Sequence, residues 1–189
     1  DNGLEYGREN IIVSVGAKHS IYNVAQAFFE EGDEIVIPAP YWVSYPDIAL
    51  LADATPVIVD TKEEHGFKLT PEELDKAITP RTKCVILNSP SNPTGAAYTG
   101  EELKGIAEVI VRRDVTVLSD DIYEKLVYDG FRFTSIASFG DEIRKRTIVV
   151  NGLSKAYSMT GWRIGYVAAD KELVEAMNNI QSQSTSNPV

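Results

Sequence analysis

The sequence is poor in cysteine, histidine and positive charge, and it has no long apolar run. One cysteine, Cys84, excludes an intrachain disulfide, and two histidines far apart in sequence, His19 and His65, give no cluster for a zinc site. No metal site is expected. Eighteen Lys and Arg against twenty-eight Asp and Glu leave a net charge of −10, which repels nucleic-acid backbones and anionic lipid heads. Neither nucleic acid nor membrane is an expected partner. No apolar run approaches the roughly 18 residues that cross a bilayer. The opening Asp1-Asn2-Gly3-Leu4-Glu5 has neither the basic start nor the apolar stretch of a signal peptide. These absences predict a soluble protein of a reducing, cytoplasmic compartment. The lack of an initial methionine predicts a segment of something longer.

What is present is an α/β rhythm. The 189 residues, 43% of them hydrophobic, suffice for one sizeable core, since a chain of this length buries roughly 70% of its unfolded surface. Strands are predicted at Ile11 to Val15, Glu34 to Ile37, Pro56 to Asp60, Lys83 to Asn88, Val115 to Leu118, Thr147 to Val150 and Arg163 to Ala168. Helices are predicted after Gly16, between Tyr41 and Leu51, after Thr70 and after Thr99. Thr70-Pro71-Glu72-Glu73 and Thr99-Gly100-Glu101-Glu102 each place a capping threonine three residues before a glutamate. The apolar runs of the strands are continuous rather than alternating, as expected of a sheet covered on both faces. The fold class read from this pattern is a three-layer α/β/α domain with a mostly parallel sheet, spanning residues 1–189.

In such sheets ligands bind where the carboxyl ends of strands open into loops. There the sequence places Gly16-Ala17-Lys18, Tyr41-Trp42, Asn92-Pro93-Thr94-Gly95, Asp120-Asp121-Ile122-Tyr123 and Gly152-Leu153-Ser154-Lys155. Lys155 follows an apolar strand, which fits either a snorkelling lysine or one whose desolvated amine forms a Schiff base with an aldehyde cofactor. Pyridoxal phosphate needs a phosphate cradle, a carboxylate at its ring nitrogen, donors to its phenolate oxygen and a flat surface against its ring. Gly16 to Lys18, at a helix start, with Ser154 and Arg163, offer the cradle. Asp120 offers the carboxylate, since a carboxylate at that depth needs a cationic or proton-donating partner. Tyr123 and Asn92 offer the donors, and Trp42 the flat surface. Each has a plainer reading: a surface ion pair for Arg163, core packing for the aromatics and an ordinary turn for Asn92. For Asp120 it is the cap of a helix beginning near Asp121, with Asp121 the better placed cap.

The segments Ser89-Pro-Ser-Asn-Pro-Thr-Gly95, Ser119-Asp-Asp-Ile-Tyr123 and Ser154-Lys-Ala-Tyr-Ser-Met-Thr-Gly-Trp-Arg-Ile-Gly165 resemble the signatures of class I/II pyridoxal-phosphate aminotransferases of fold type I. Tyr41-Trp-Val-Ser-Tyr-Pro46 is similar to the subgroup of prokaryotic aspartate and aspartate/prephenate aminotransferases. The resemblance implies that Lys155 forms the Schiff base and shuttles the α-proton, with Asp120 and Tyr123 as its catalytic partners. It implies that Gly16, Ala17, Lys18, Trp42, Asn92, Ser154 and Arg163 also hold the cofactor. Lys18, Trp42 and Asn92 would face the substrate, Lys18 hinting at an acidic one. An amino acid and a 2-oxo acid are the implied substrates, a homodimer the implied parent, and an antiparallel course the implied path of Arg163 to Ala168.

Relatives of that family are roughly twice as long as this chain. Their small domain, which holds the arginine that clamps the substrate α-carboxylate, and their N-terminal segment, whose tyrosine reaches the partner's cofactor, have no counterpart here. The expectation is an excised or proteolysed cofactor-binding domain that binds pyridoxal phosphate and transaminates weakly or not at all. Three other readings compete. A β-eliminase or lyase of the same fold would use the same lysine and aspartate. A non-catalytic, aminotransferase-like effector-binding domain of a transcription regulator is disfavoured by the acidic charge. A plain nucleotide-binding fold fails because no predicted strand is followed by G-x-G-x-x-G or G-x-x-x-x-G-K-[ST].

Overall fold

The computed structural model describes residues 2–188, so the two ends of the predicted domain, Asp1 and Val189, lie outside the described residues. Seven strands form one sheet: β1 (Ile11–Val15), β2 (Glu34–Ala39), β3 (Thr55–Asp60), β4 (Thr82–Asn88), β5 (Thr116–Asp120), β6 (Thr147–Gly152) and β7 (Ile164–Ala168). Their order across the sheet is β1-β7-β6-β5-β4-β2-β3. The pairs β2/β3, β2/β4, β4/β5 and β5/β6 are parallel, whereas β7 runs antiparallel to both β1 and β6. The predicted sheet, with its antiparallel last strand, is therefore the observed one.

Six helices flank it: α1 (Ala17–Phe28), α2 (Ser44–Leu50), α3 (Pro71–Ala77), α4 (Gly100–Arg113), α5 (Asp141–Lys145) and α6 (Lys171–Ser184). The capping boxes form as predicted. Thr70 Oγ1 accepts from the Glu73 N–H at 3.2 Å, and the Glu73 carboxylate accepts from the Thr70 N–H at 2.9 Å. Thr99 and Glu102 repeat the exchange at the start of α4. Each cap stabilises its helix by about 1 kcal/mol.

Alternate residues of the central strands feed opposite layers. Ile35, Ile37, Cys84, Ile86 and Leu118 pack with α1, α2 and α6, while Val36, Val85, Leu87 and Val117 pack with α4 and its neighbours. Two apolar layers against one strand explain why these strands read as continuous apolar runs. β1 does not follow this expectation. It lies at the sheet edge, burying Ile12 and Ser14 beneath the helices and exposing Ile11 and Val13 on the other face.

The fold departs from the sequence reading at three further points. Asp120 is the last residue of β5 rather than the first of a loop. No helix begins near Asp121; residues 122–125 form a turn, so neither aspartate is a helix cap. The helix α6, for which the sequence reading named no element, continues to Ser184. Asp170 caps that helix, its Oδ1 accepting from the Glu172 N–H at 2.9 Å. Val174 and Met177, three residues apart on one face, are buried.

Candidate active site

The parallel strands and β1 all point their carboxyl ends to one edge of the sheet, where the loops bound a cavity of about 300 Å³. Of the residues singled out in the sequence, Ala17, Lys18, Trp42, Asn92, Asp120, Tyr123, Ser154, Lys155 and Arg163 line it. Gly16 alone does not. It lies behind Arg163, in the left-handed region at φ +80°, and a Cβ added to it would stand 2.3 Å from Arg163 Nη2. Glycine there lets the guanidinium close over the start of α1.

Each wall has a local cause. α1 begins at Ala17, and its first hydrogen bonds run from the His19 and Ser20 N–H groups to the Gly16 carbonyl, which leaves the Ala17 and Lys18 N–H groups, with the positive end of the helix dipole, at the cavity wall these two residues form. Arg163 is held beside them in the left-handed region, φ +52°, a conformation costing a non-glycine residue roughly 1 kcal/mol or more. Its Nη1 donates to the Thr160 carbonyl at 2.8 Å, and its Nη2 reaches the Val15 carbonyl at 3.5 Å. Gly165 is required for the approach of these segments, because a Cβ there would stand 2.4 Å from the Ala17 nitrogen.

Asp120 forms the floor. It shares the parity of Leu118 on β5 and so faces the α1 and α2 layer. Tyr45 Oη donates to its Oδ2 at 2.7 Å, and the Ile122 N–H donates to its Oδ1 at 3.3 Å. Burial nevertheless outweighs both bonds and pushes the carboxyl up to about 6. Neither partner is a cation, so the carboxylate is set to meet one from the cavity. Asn88 Nδ2 donates to the Asp120 carbonyl at 2.9 Å while its Oδ1 accepts from the Asn92 N–H at 2.7 Å, tying the ends of β4 and β5 to the Asn92 turn.

Lys155 follows β6, its Nζ 5.6 Å from the Tyr123 ring centre. Trp42 stands edge-on to Tyr45, with ring centres 5.3 Å apart, and Lys18 Nζ lies 5.0 Å from the Trp42 ring. The sequence reading missed Tyr45, Asn88 and Thr160, which also line the cavity. Tyr45 had a signal: it sits three residues after Trp42, the spacing of one helix face. The residues present fit a flat, phosphate-bearing cation: anion donors at one end, an unanswered carboxylate on the floor and a primary amine within the cavity. Among the described residues no group of three or more His, Cys, Asp and Glu is placed to hold a metal.

A mixed sheet with a cavity at its carboxyl edge, lined by a lysine and a buried aspartate, defines an α/β fold with its candidate site where such sheets bind ligands. The chain belongs to the family of aminotransferases of class I and II, whose sequence profile matches residues 1–189. The aspartate aminotransferase of Geobacillus stearothermophilus is 54% identical over 188 residues, covering 100% of this chain and 48% of that protein. The aspartate/prephenate aminotransferase of Cereibacter sphaeroides is 57% identical over 189 residues, 100% of this chain and 47% of the relative. The crystal structure of the aspartate aminotransferase from Rhizobium meliloti superposes with a TM-score of 0.97 at 49% identity, over 99% of this chain and 47% of that one. The chain spans about half the length of the curated relatives it matches.

Proposed function

We propose that residues 1–189 form the cofactor-binding domain of a pyridoxal 5'-phosphate-dependent aminotransferase that moves an amino group between an acidic amino acid and a 2-oxo acid. The observation that carries this reading is the convergence of Lys155, Asp120 and Arg163 on one cavity at the start of α1. When bound, pyridoxal 5'-phosphate supplies an aldehyde for amino groups and a ring that takes up electrons from the substrate Cα. Lys155 would hold it and would carry the α-proton from and back to the substrate. Asp120 would keep a proton on the ring nitrogen, answering there the positive charge its protein partners do not supply. Tyr123 and Asn92 would serve as donors to the phenolate oxygen, and Trp42 would offer a flat surface to the ring. Ala17, Ser154 and Arg163 would hold the phosphate, with Gly16 shaping the turn behind them. Lys18, its ammonium over Trp42 at the cavity, pairs with the side-chain carboxylate of an aspartate or glutamate. The names of the relatives agree with that substrate class.

The parent protein is read as a cytoplasmic homodimer of amino-acid biosynthesis. No helix among the described residues is long and apolar enough to cross a membrane. Exposed Val43, Leu50 and Leu51 around α2 are apolar side chains that an assembly would cover.

The test is an absorbance titration with pyridoxal 5'-phosphate on the wild type and on Lys155→Ala. A visible band that borohydride fixes on Lys155, and that the variant lacks entirely, supports the reading. A band unaffected by loss of Lys155 overturns the assignment of that residue, and no band at any pH overturns the cofactor.

A further inference from the structure

β1 pairs on one side only, with β7. Its even-numbered neighbours turn their backbone groups inward, as where Ala169 N–H donates to the Asn10 carbonyl, so Val13 and Val15 turn theirs to the open edge. Three side chains meet them there. Gln181 Nε2 donates to the Val13 carbonyl at 2.7 Å, Arg163 Nη2 approaches the Val15 carbonyl at 3.5 Å, and the Val15 N–H donates to His19 Nδ1 at 3.2 Å. The residues immediately after Val15 are Gly16 and Ala17, the turn at the start of α1. One imidazole therefore fixes the strand end from which the anion-binding turn departs and on which Arg163 leans.

We propose that His19 is a positioning residue of the phosphate site: its neutral imidazole, accepting from Val15, holds the end of β1 so that Gly16, Ala17 and Arg163 converge, and its protonation loosens that site. The inference rests on the reading of the cavity as a phosphate-bearing cofactor site.

Nδ1 accepts a hydrogen bond only in the tautomer that carries its proton on Nε2; in the imidazolium both nitrogens are donors, and two N–H groups would face each other. Charged and titratable groups lining the same hollow are Lys18 and Tyr22 from α1, Asp47 from α2 and Arg163 from the loop before β7. The two cations oppose a charge on His19 and Asp47 favours one, while Ser184 and Thr185 at the end of α6 add none. Burial holds the imidazole below its usual range. A lowered value means that the folded protein prefers neutral His19, so the bond is intact at neutral pH and lost as pH falls through that value.

The experiment compares wild type, His19→Asn and His19→Leu in titrations with pyridoxal 5'-phosphate and with inorganic phosphate between pH 8 and pH 5.5. Asparagine offers an acceptor near the Nδ1 position without titrating, and circular dichroism verifies that each variant is folded. The protonation of the phosphate itself is common to all three proteins, so the readout is the ratio between them. Wild type is expected to lose several-fold more affinity than His19→Asn as pH falls, and His19→Leu to bind about tenfold more weakly than wild type at pH 8. With only two histidines in the chain, nitrogen chemical shifts read the tautomer directly, and His19 is expected to carry its proton on Nε2. Parallel curves, a relative gain of affinity by wild type at acid pH, or a proton on Nδ1 would each overturn the proposal. Absence of any binding by wild type at pH 8 would sink the cofactor reading itself, an outcome distinct from binding with parallel curves.

Discussion

The loop end of the sheet and the outer helical layer hold their aspartates in opposite ways. At the loop end Asp120 and Asp121 are buried and meet only neutral donors. Tyr45 and the Ile122 N–H serve Asp120, and Ser119 Oγ donates to Asp121 Oδ1 at 2.6 Å. Asp121 Oδ2 is buried, and the buried Ser135 hydroxyl is its neighbouring neutral donor. Burial pushes Asp121 up to about 7 and Asp120 to about 6, against the effect of those donors. In the helical layer Asp75 on α3 lies near the surface and takes hydrogen bonds from Arg113 Nε at 2.7 Å and Arg112 Nη2 at 2.8 Å, which hold it well below the usual carboxylate range. Desolvation decides the first case and paired cations the second. Only the first arrangement leaves a charge requirement for a ligand to meet, which is why the chemistry is sought there.

The sharpest way to break this contrast is Asp120→Ala. It should lower the rate at which an amino acid converts the bound cofactor by on the order of 10²- to 10³-fold, as when a preorganised charge is removed from a site; a loss under tenfold would deny Asp120 its role. Tyr45→Phe should cost about tenfold, since it removes one donor to the ionised carboxylate. Because that donor favours the charged form, its loss raises Asp120, and the acid limb of the cofactor-affinity profile should move to higher pH. An unmoved limb would make Tyr45 a packing residue only.

Asp121→Asn tests the other buried carboxyl through stability. A raised carboxyl means that the folded state binds more protons than the unfolded chain, so wild-type stability declines as pH climbs from about 4 through about 7. The melting midpoint of Asp121→Asn relative to wild type should therefore rise between pH 5 and pH 8, and a constant difference would place the charge elsewhere. The smallest effect belongs to Asp75→Ala. A depressed carboxyl contributes above its usual range and loses that contribution as pH falls, but exposure and salt screen the ion pairs. Cofactor affinity should be unchanged and the melting midpoint should shift little; a large shift would place Asp75 with the buried carboxyls.

Much of this architecture was legible because its signals are local. Thr70 and Thr99 announce their helices through a hydroxyl that reaches a backbone N–H three residues on, and the continuous apolar runs of β2, β4, β5 and β6 announce a sheet covered twice. Asp121 misled as a helix cap because aspartate after a strand suits a cap and a buried turn equally, and only packing tells them apart. The exposed face of β1 was hidden for a similar reason: Ile11-Ile12-Val13 reads like any buried strand, and its place at the sheet edge is set by pairing with β7, about 150 residues away.

By itself the sequence determined which strand ends bring polar and titratable residues to one cavity, since glycine, asparagine, aspartate and lysine after apolar runs mark loops at the carboxyl edge of a parallel sheet. The tertiary structure decided which of those residues meet and what state they hold. Tyr45 bonds Asp120 across 75 positions and Arg163 leans on Val15 across 148. Those partners, and the depth at which they lie, come from the stacking of layers that no local pattern records. Burial is a property of the whole fold, and here it sets the charge of the carboxyls.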